Sequence, residues 1–128
     1  MSFSIGNDIV ENERIQGLYE LHKDRFLKRI FTQDEIQYCE KHKDPIPFLA
    51  GRFALKEAVI KALGLPPGVV LDWKEIELQG NEFGKKRLVI HGKALQCFQE
   101  RGFTQSTVSI SHADKYSTAV VLLYGENL

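Results

Sequence analysis

The chain has 128 residues, 43% hydrophobic and 27% charged, and this length and composition predict one soluble domain spanning 1–128. Its 17 basic and 17 acidic residues cancel, so bulk charge predicts neither nucleic acid nor membrane as a partner. No signal peptide or membrane-spanning run is evident, and two distant cysteines, Cys39 and Cys97, predict reduced thiols in a cytoplasmic protein.

The N-terminal stretch predicts a strand followed by a helix. Apolar residues recur with a period of two along Phe3–Val10, and Gly6 gives the backbone freedom just before Asp8. The next stretch, Glu11–Tyr19, is expected to be helical and to carry Arg14 one to two turns beyond Asp8. Asp8 is interpreted either as the N-cap of that helix or as a functional carboxylate.

A local basic cluster follows on a chain that is neutral overall. Within 23–30, an apolar edge is surrounded by positive charge; the residues are Lys23, Arg25, Phe26, Leu27, Lys28, Arg29 and Ile30. Such a cluster suits an acidic partner, although a solvated helix face explains it equally well. Thr32 and Glu35 then match a capping box that predicts a helix to about His42, ended by 44–47 with its two prolines.

The longest predicted element is the central helix, Phe48–Gly64. It contains strong helix formers, lacks an internal proline and stops at Gly64. Helical spacing aligns Glu57 with Lys61 on one stripe and alanines on another, where a neighbouring element could approach closely. On this helix alone, a solvated Glu57–Lys61 pair is the simpler interpretation.

The C-terminal half predicts four strands and one helix. The strands are 73–79, 87–91, 107–111 and 118–123, the turn is 80–84, and the helix is 93–101, closed by Gly102. The first two strands are expected to form a hairpin and the last two an antiparallel pair. The fold class is therefore predicted to be α+β, a mostly antiparallel sheet packed against the central helix and shorter helices.

The candidate chemistry depends on acidic and basic residues from separate segments. The common dinucleotide, P-loop, zinc-protease and hydrolase motifs are absent from the sequence. Two carboxylates, Asp8 and Glu57, offer the oxygen ligands that suit Mg²⁺. The side chains that could offset phosphoryl charge are Lys61, Arg52 and His112. His112 is selected among the histidines because it closes a strand.

Four stretches, taken together, resemble the holo-[acyl-carrier-protein] synthases, the small bacterial class of 4′-phosphopantetheinyl transferases. They are 5–14 (IGNDIVENER), 31–35 (FTQDE), 48–62 (FLAGRFALKEAVIKA) and 109–116 (SISHADKY). The match runs along nearly the whole chain in the right order. No single motif is specific, but the set is.

The resemblance implies Mg²⁺-dependent transfer of 4′-phosphopantetheine from coenzyme A to a serine of apo acyl carrier protein, releasing adenosine 3′,5′-bisphosphate. Asp8 and Glu57 would bind Mg²⁺, Lys61 would contact the transferred phosphate, and Arg52 and His112 would contact coenzyme A phosphates. The carrier would be contacted by Arg14, Leu18, Arg25, Phe26 and Arg29. The resemblance also implies a homotrimer with active sites between subunits.

Two alternatives stay open from the sequence. One is a non-catalytic module that binds a nucleotide or an acidic protein, and the other is a structural oligomerisation domain with solvated charges. A pair of carboxylates argues against simple phosphate binding, because two acids repel an anion unless a metal lies between them. The residue that removes the serine proton is not fixed by the sequence, and Glu57 is the candidate.

Overall fold

The computed structural model describes residues 1–80 and 86–126. The helices are α1 (Asn12–Ile30), α2 (Gln33–Glu40), α3 (Ile46–Leu63) and α4 (Gly92–Glu100). The strands are β1 (Ser2–Glu11), β2 (Ile76–Gln79), β3 (Arg87–Ile90), β4 (Gln105–His112) and β5 (Tyr116–Gly125), and a 3₁₀ turn, Trp73–Glu75, precedes β2.

Two antiparallel sheets pack around α3. The larger sheet has the order β1-β5-β4, with Ile5 opposite Leu122 and Val108 opposite Val121. The smaller sheet is the β2-β3 hairpin, with Ile76 opposite Ile90. Helix α3 lies between them and is buried along most of its length. The predicted α+β class, with an antiparallel sheet on the central helix, is confirmed.

Helix α3 approaches β1 closely because both elements have small residues at the contact. Ala50, Ala54, Ala58 and Ala62 are buried. A Cβ added at Gly6 would overlap the backbone carbonyl of Ala58, so only glycine allows this spacing. The tight approach sets Asp8, two residues further along β1, beside the C-terminal half of α3.

Several helices begin or end at residues other than those predicted. Helix α3 begins at Ile46 rather than Phe48, because prolines are tolerated in a first helical turn. The predicted helix 11–19 continues to Ile30, with a non-helical kink at His22 that separates it from the basic segment.

The prediction of a strand from Trp73 was wrong for its first three residues. Asp72 accepts a hydrogen bond from the backbone of Lys74 and starts the 3₁₀ turn, so the strand begins at Ile76. The predicted turn 80–84 lies mostly outside the described residues. Among the described helices, none is long and apolar enough to cross a membrane.

Candidate active site

The two predicted metal-binding carboxylates come from different elements and meet beside a lysine. Asp8 points from β1 toward α3, where Lys61 Nζ lies 2.8 Å from Asp8 Oδ1 and 3.2 Å from the carbonyl oxygen of Asn7. The expected Glu57–Lys61 pair is therefore replaced by a pair between Lys61 and Asp8. Asp8 side-chain exposure is 17% and that of Lys61 is 55%, so the pair lies at the surface end of the site.

Glu57 lies next to this pair, and its pKa is raised. Burial raises the pKa of Glu57, the charge of Asp8 raises it further, and the charges of Lys61 and Arg14 lower it. The two carboxylates thus repel each other in a half-buried setting. A cation between them would relieve that repulsion, and among the described residues no third acidic, histidine or cysteine side chain completes a metal cluster with them.

One turn before Lys56 on α3, Arg52 provides a buried positive charge. Arg52 is only 2% exposed, and its guanidinium lies 4.1 Å from the centre of the Tyr38 ring. Its buried Nε has no hydrogen-bond partner within the described part of the chain. A buried guanidinium of this kind is costly unless an anion satisfies it, so the geometry favours an anionic ligand here.

His112 lies at the end of β4 close to the same part of α3. A Cβ added at Gly51 would come within 2.5 Å of His112 Cε1, so the ring packs directly against the α3 backbone. Burial lowers the pKa of His112, and the charges of Lys86 and Arg52 lower it further. Arg52 and Lys86 therefore give the second part of the site, around His112, a positive charge.

All five residues predicted to face the carrier line one groove. The groove has a volume of about 640 Å³; its walls are Arg14, Leu18, His22, Arg25, Phe26, Arg29, Ile30, Phe53 and Trp73. Phe26 is buried and forms its floor, whereas Arg25 and Arg29 are exposed at its rim. The floor is apolar and the rim is basic.

Arg14 connects the groove with the carboxylates. Its guanidinium lies 5.6 Å from the centre of the Phe53 ring, and its charge also lowers the pKa of Glu57. Phe53 and Glu57 are one turn apart on α3, so the groove ends where the carboxylates begin. Two other basic residues of the segment take no part in the groove lining: Lys28, and Lys23, whose Nζ lies 3.5 Å from Glu40 Oε2.

Sequence reasoning missed a buried ion pair behind the site. Lys56 and Glu35 side chains are each 1% exposed, and Lys56 Nζ donates to Glu35 Oε1 at 2.8 Å, to the carbonyl oxygen of Trp73 at 3.1 Å and to that of Ile76. The capping box that the sequence predicts is present, with Thr32 and Glu35 as partners. No sequence signal linked that box to Lys56.

Comparison with known proteins places the chain among transferases. A family model described as the 4′-phosphopantetheinyl transferase superfamily matches residues 4–121. A holo-[acyl-carrier-protein] synthase of Leptospira biflexa is 70% identical over 96% of this chain and 97% of its own length.

Solved structures agree with this placement. A complex of ACPS with CoA from Chronobacterium ammoniagenes has a TM-score of 0.84 at 27% identity, covering 99% of this chain and 100% of that one. The Helicobacter pylori holo-[acyl-carrier-protein] synthase in complex with coenzyme A has a TM-score of 0.79 at 31% identity, covering 94% of this chain and 99% of that one.

Proposed function

This chain belongs to the 4′-phosphopantetheinyl transferase superfamily, and we propose how its residues carry out the reaction of the holo-[acyl-carrier-protein] synthases. The chain is a transferase that moves 4′-phosphopantetheine from coenzyme A to a serine of apo acyl carrier protein. The residue assignment rests on three features that lie side by side. They are the Asp8–Glu57 carboxylates, Lys61, and a basic groove that ends at Arg14.

Mg²⁺ fits the carboxylate end of the site. Asp8 and Glu57 would hold it, because burial and then the charge of Asp8 raise the Glu57 pKa, a cation would relieve both, and their oxygens are the ligands that Mg²⁺ prefers. Two protein carboxylates leave room for waters and substrate phosphate oxygens, which commonly complete such sites. When bound, the ion would offset charge on the pyrophosphate in the transition state.

In the transfer, the serine oxygen of the carrier forms a bond to the phosphorus next to pantetheine. The bond from that phosphorus to the bridging oxygen breaks, and adenosine 3′,5′-bisphosphate leaves with the electron pair. Lys61 would contact the phosphoryl group and stabilise the charge that develops on it. Glu57 would be the candidate to accept the serine proton, directly or through an intervening water.

The second part of the site would bind the rest of coenzyme A. Arg52 and His112 would contact its phosphates, and the buried Arg52 Nε without a partner among the described residues supports this assignment. The runner-up function, a non-catalytic nucleotide-binding module, would use the same two residues but would not require both carboxylates.

Mass spectrometry tests the proposed residue roles. We expect an apo carrier protein incubated with this chain, Mg²⁺ and coenzyme A to gain one phosphopantetheine group. Asp8→Asn and Glu57→Gln should each abolish the gain while coenzyme A still binds. Near-wild-type turnover of either variant at limiting Mg²⁺ would show that its carboxylate does not hold the ion.

The groove would receive the carrier, because acyl carrier proteins are acidic and its rim is basic. Reversing two rim charges, Arg25→Glu with Arg29→Glu, should raise the carrier KM strongly and leave the coenzyme A KM nearly unchanged. Lys93→Glu with Lys115→Glu is the matched control, since both lysines are exposed and lie outside the groove lining. Equal effects of both double variants would refute docking in the groove.

We also propose that the chain forms a homotrimer with active sites between subunits. One face of the larger sheet supports association: Phe3, Ile5 and Ile9 of β1 are exposed beside the half-buried Leu122 and Tyr124 of β5. The segment 73–78 is a weaker candidate for the contact, because Ile76–Leu78 are buried within the chain.

Light scattering tests this assembly. The expected mass is three times the 14.6 kDa of one chain, and Ile5→Lys should reduce it by burying a charge in the contact. A fully active monomer at working concentrations would refute the proposal.

A further inference from the structure

Hydrogen bonds lead from His112 into the interior of the fold. Nδ1 of His112 lies 3.2 Å from Ser117 Oγ, which lies 2.7 Å from Asn12 Oδ1. Nδ2 of Asn12 lies 2.8 Å from the carbonyl oxygen of Ala113 and 3.3 Å from that of Asp114. Ser117 is fully buried and Asn12 is 6% exposed, so the bond between them is shielded from solvent, and the other bonds of the network are partly buried.

The far end of this network fixes the donor and acceptor roles along it. A backbone carbonyl only accepts, so the Asn12 atom that faces Ala113 must be the amide nitrogen, and its oxygen must face Ser117. That amide oxygen also only accepts, which commits the single hydroxyl proton of Ser117 to Asn12. Ser117 Oγ can then only accept from the imidazole, so the proton of His112 must be on Nδ1.

We infer that Asn12 and Ser117 are positioning residues that hold neutral His112 in its Nδ1-protonated tautomer, leaving Nε2 unprotonated for the site. Within the described part of the chain, Nε2 makes no hydrogen bond. Close packing on Gly51 limits rotation of the ring. The lowered pKa of His112, caused by burial and then by Lys86 and Arg52, favours the neutral form for which the tautomer matters.

The tautomer has a consequence for ligand binding, and this part of the inference rests on the proposed function. With Nδ1–H committed to Ser117, Nε2 can donate to a coenzyme A phosphate only after it takes up a second proton. The opposite tautomer could donate while neutral. Asn12 and Ser117 would therefore couple phosphate binding to protonation of the ring. The charged or titratable groups near the ring are Arg52, Lys86, and His42, which stacks on the intervening Phe48.

Nitrogen NMR of the full-length, ¹⁵N-labelled chain tests the tautomer directly. The His112 signals are assigned by their loss in His112→Gln. We expect wild-type Nδ1 to carry the proton, and Ser117→Ala to shift the ring toward the Nε2-protonated form that free imidazole prefers. Ser4→Ala, on β1, is the control and should change nothing. A wild-type ring protonated on Nε2, or an unchanged tautomer in Ser117→Ala, would overturn the inference.

Kinetics separate the positioning role from a purely structural one. At a pH where the ring is neutral, the coenzyme A KM of Ser117→Ala should fall about fivefold, because the Nε2-protonated ring can donate one neutral hydrogen bond to the phosphate, and kcat should stay nearly unchanged. A tautomer change without any KM change would overturn the positioning role, provided that His112→Gln itself raises this KM. If His112→Gln leaves the KM unchanged, the proposed phosphate contact fails, while the NMR result still decides the tautomer. Should Ser117→Ala not fold, the protonated nitrogen in the wild-type spectrum alone supports or overturns the inference.

Discussion

Replacing Lys56 by methionine should destabilise the fold far more than any surface lysine substitution. Lys56 Nζ donates to Glu35 and to the carbonyl oxygens of Trp73 and Ile76, and the second Glu35 oxygen accepts from the backbone of Leu78. Lys56→Met leaves the buried Glu35 charge uncompensated and two carbonyls without their donor. Breaking a buried pair from one side costs about 3–5 kcal/mol, a large part of the roughly 5–15 kcal/mol that stabilises a typical domain.

Chemical denaturation measures the effect, and a double variant shows its origin. Lys56→Met with Glu35→Leu removes both charges, so its loss should be smaller than the sum of the single losses by about 1–3 kcal/mol. Lys74→Met is the control, because Lys74 is exposed and the same substitution should change stability by no more than about 0.5 kcal/mol. Additive single losses, or equal losses for Lys56→Met and Lys74→Met, would refute this role of the buried pair.

The pair should also influence carrier recognition through Trp73. The backbone of Trp73 is held by Lys56, while its ring stacks on Phe53 at 5.3 Å in the groove wall. We therefore expect folded Lys56→Met to show a higher carrier KM and a nearly unchanged coenzyme A KM. A selective loss of coenzyme A binding would contradict this connection.

Three further predictions concern single positions. Glu57→Gln should abolish transfer yet raise metal-free stability at neutral pH by up to about 1 kcal/mol. The raised folded-state pKa of Glu57 means that its charge opposes folding, so thermal melts should show the gain shrinking as pH falls through the raised pKa and vanishing below the ordinary range for glutamate. Gly6→Ala should destabilise because its Cβ would overlap the α3 backbone, whereas Gly17→Ala, in open space within α1, should stabilise by about 1 kcal/mol in urea titrations. Burial raises the pKa of the Cys39 thiol to about 12, so a thiol reagent should modify half-buried Cys97 in the native state and Cys39 only after unfolding.

The sequence by itself determined most local structure and the candidate site. Capping at Thr32, the stop at Gly64 and the period-two pattern of β4 and β5 depend on neighbouring residues, and these features are present in the structure. Residue chemistry alone singles out the carboxylates and the basic cluster, and the family resemblance supplies their roles and the remaining groove residues. Their grouping is consistent with that choice, although their roles stay predictions.

Tertiary structure decided the partners of the charged residues. Lys61 was aligned with Glu57 by helical spacing, but β1 approaches α3 so closely that Asp8 becomes its partner. Helical spacing alone does not distinguish Lys56 from other helix residues, but in the fold it pairs in the core with Glu35, 21 positions away. Residues from separate segments set these contacts, because burial and charge act between neighbours in space, and periodicity along the chain reports only which face of an element a residue occupies.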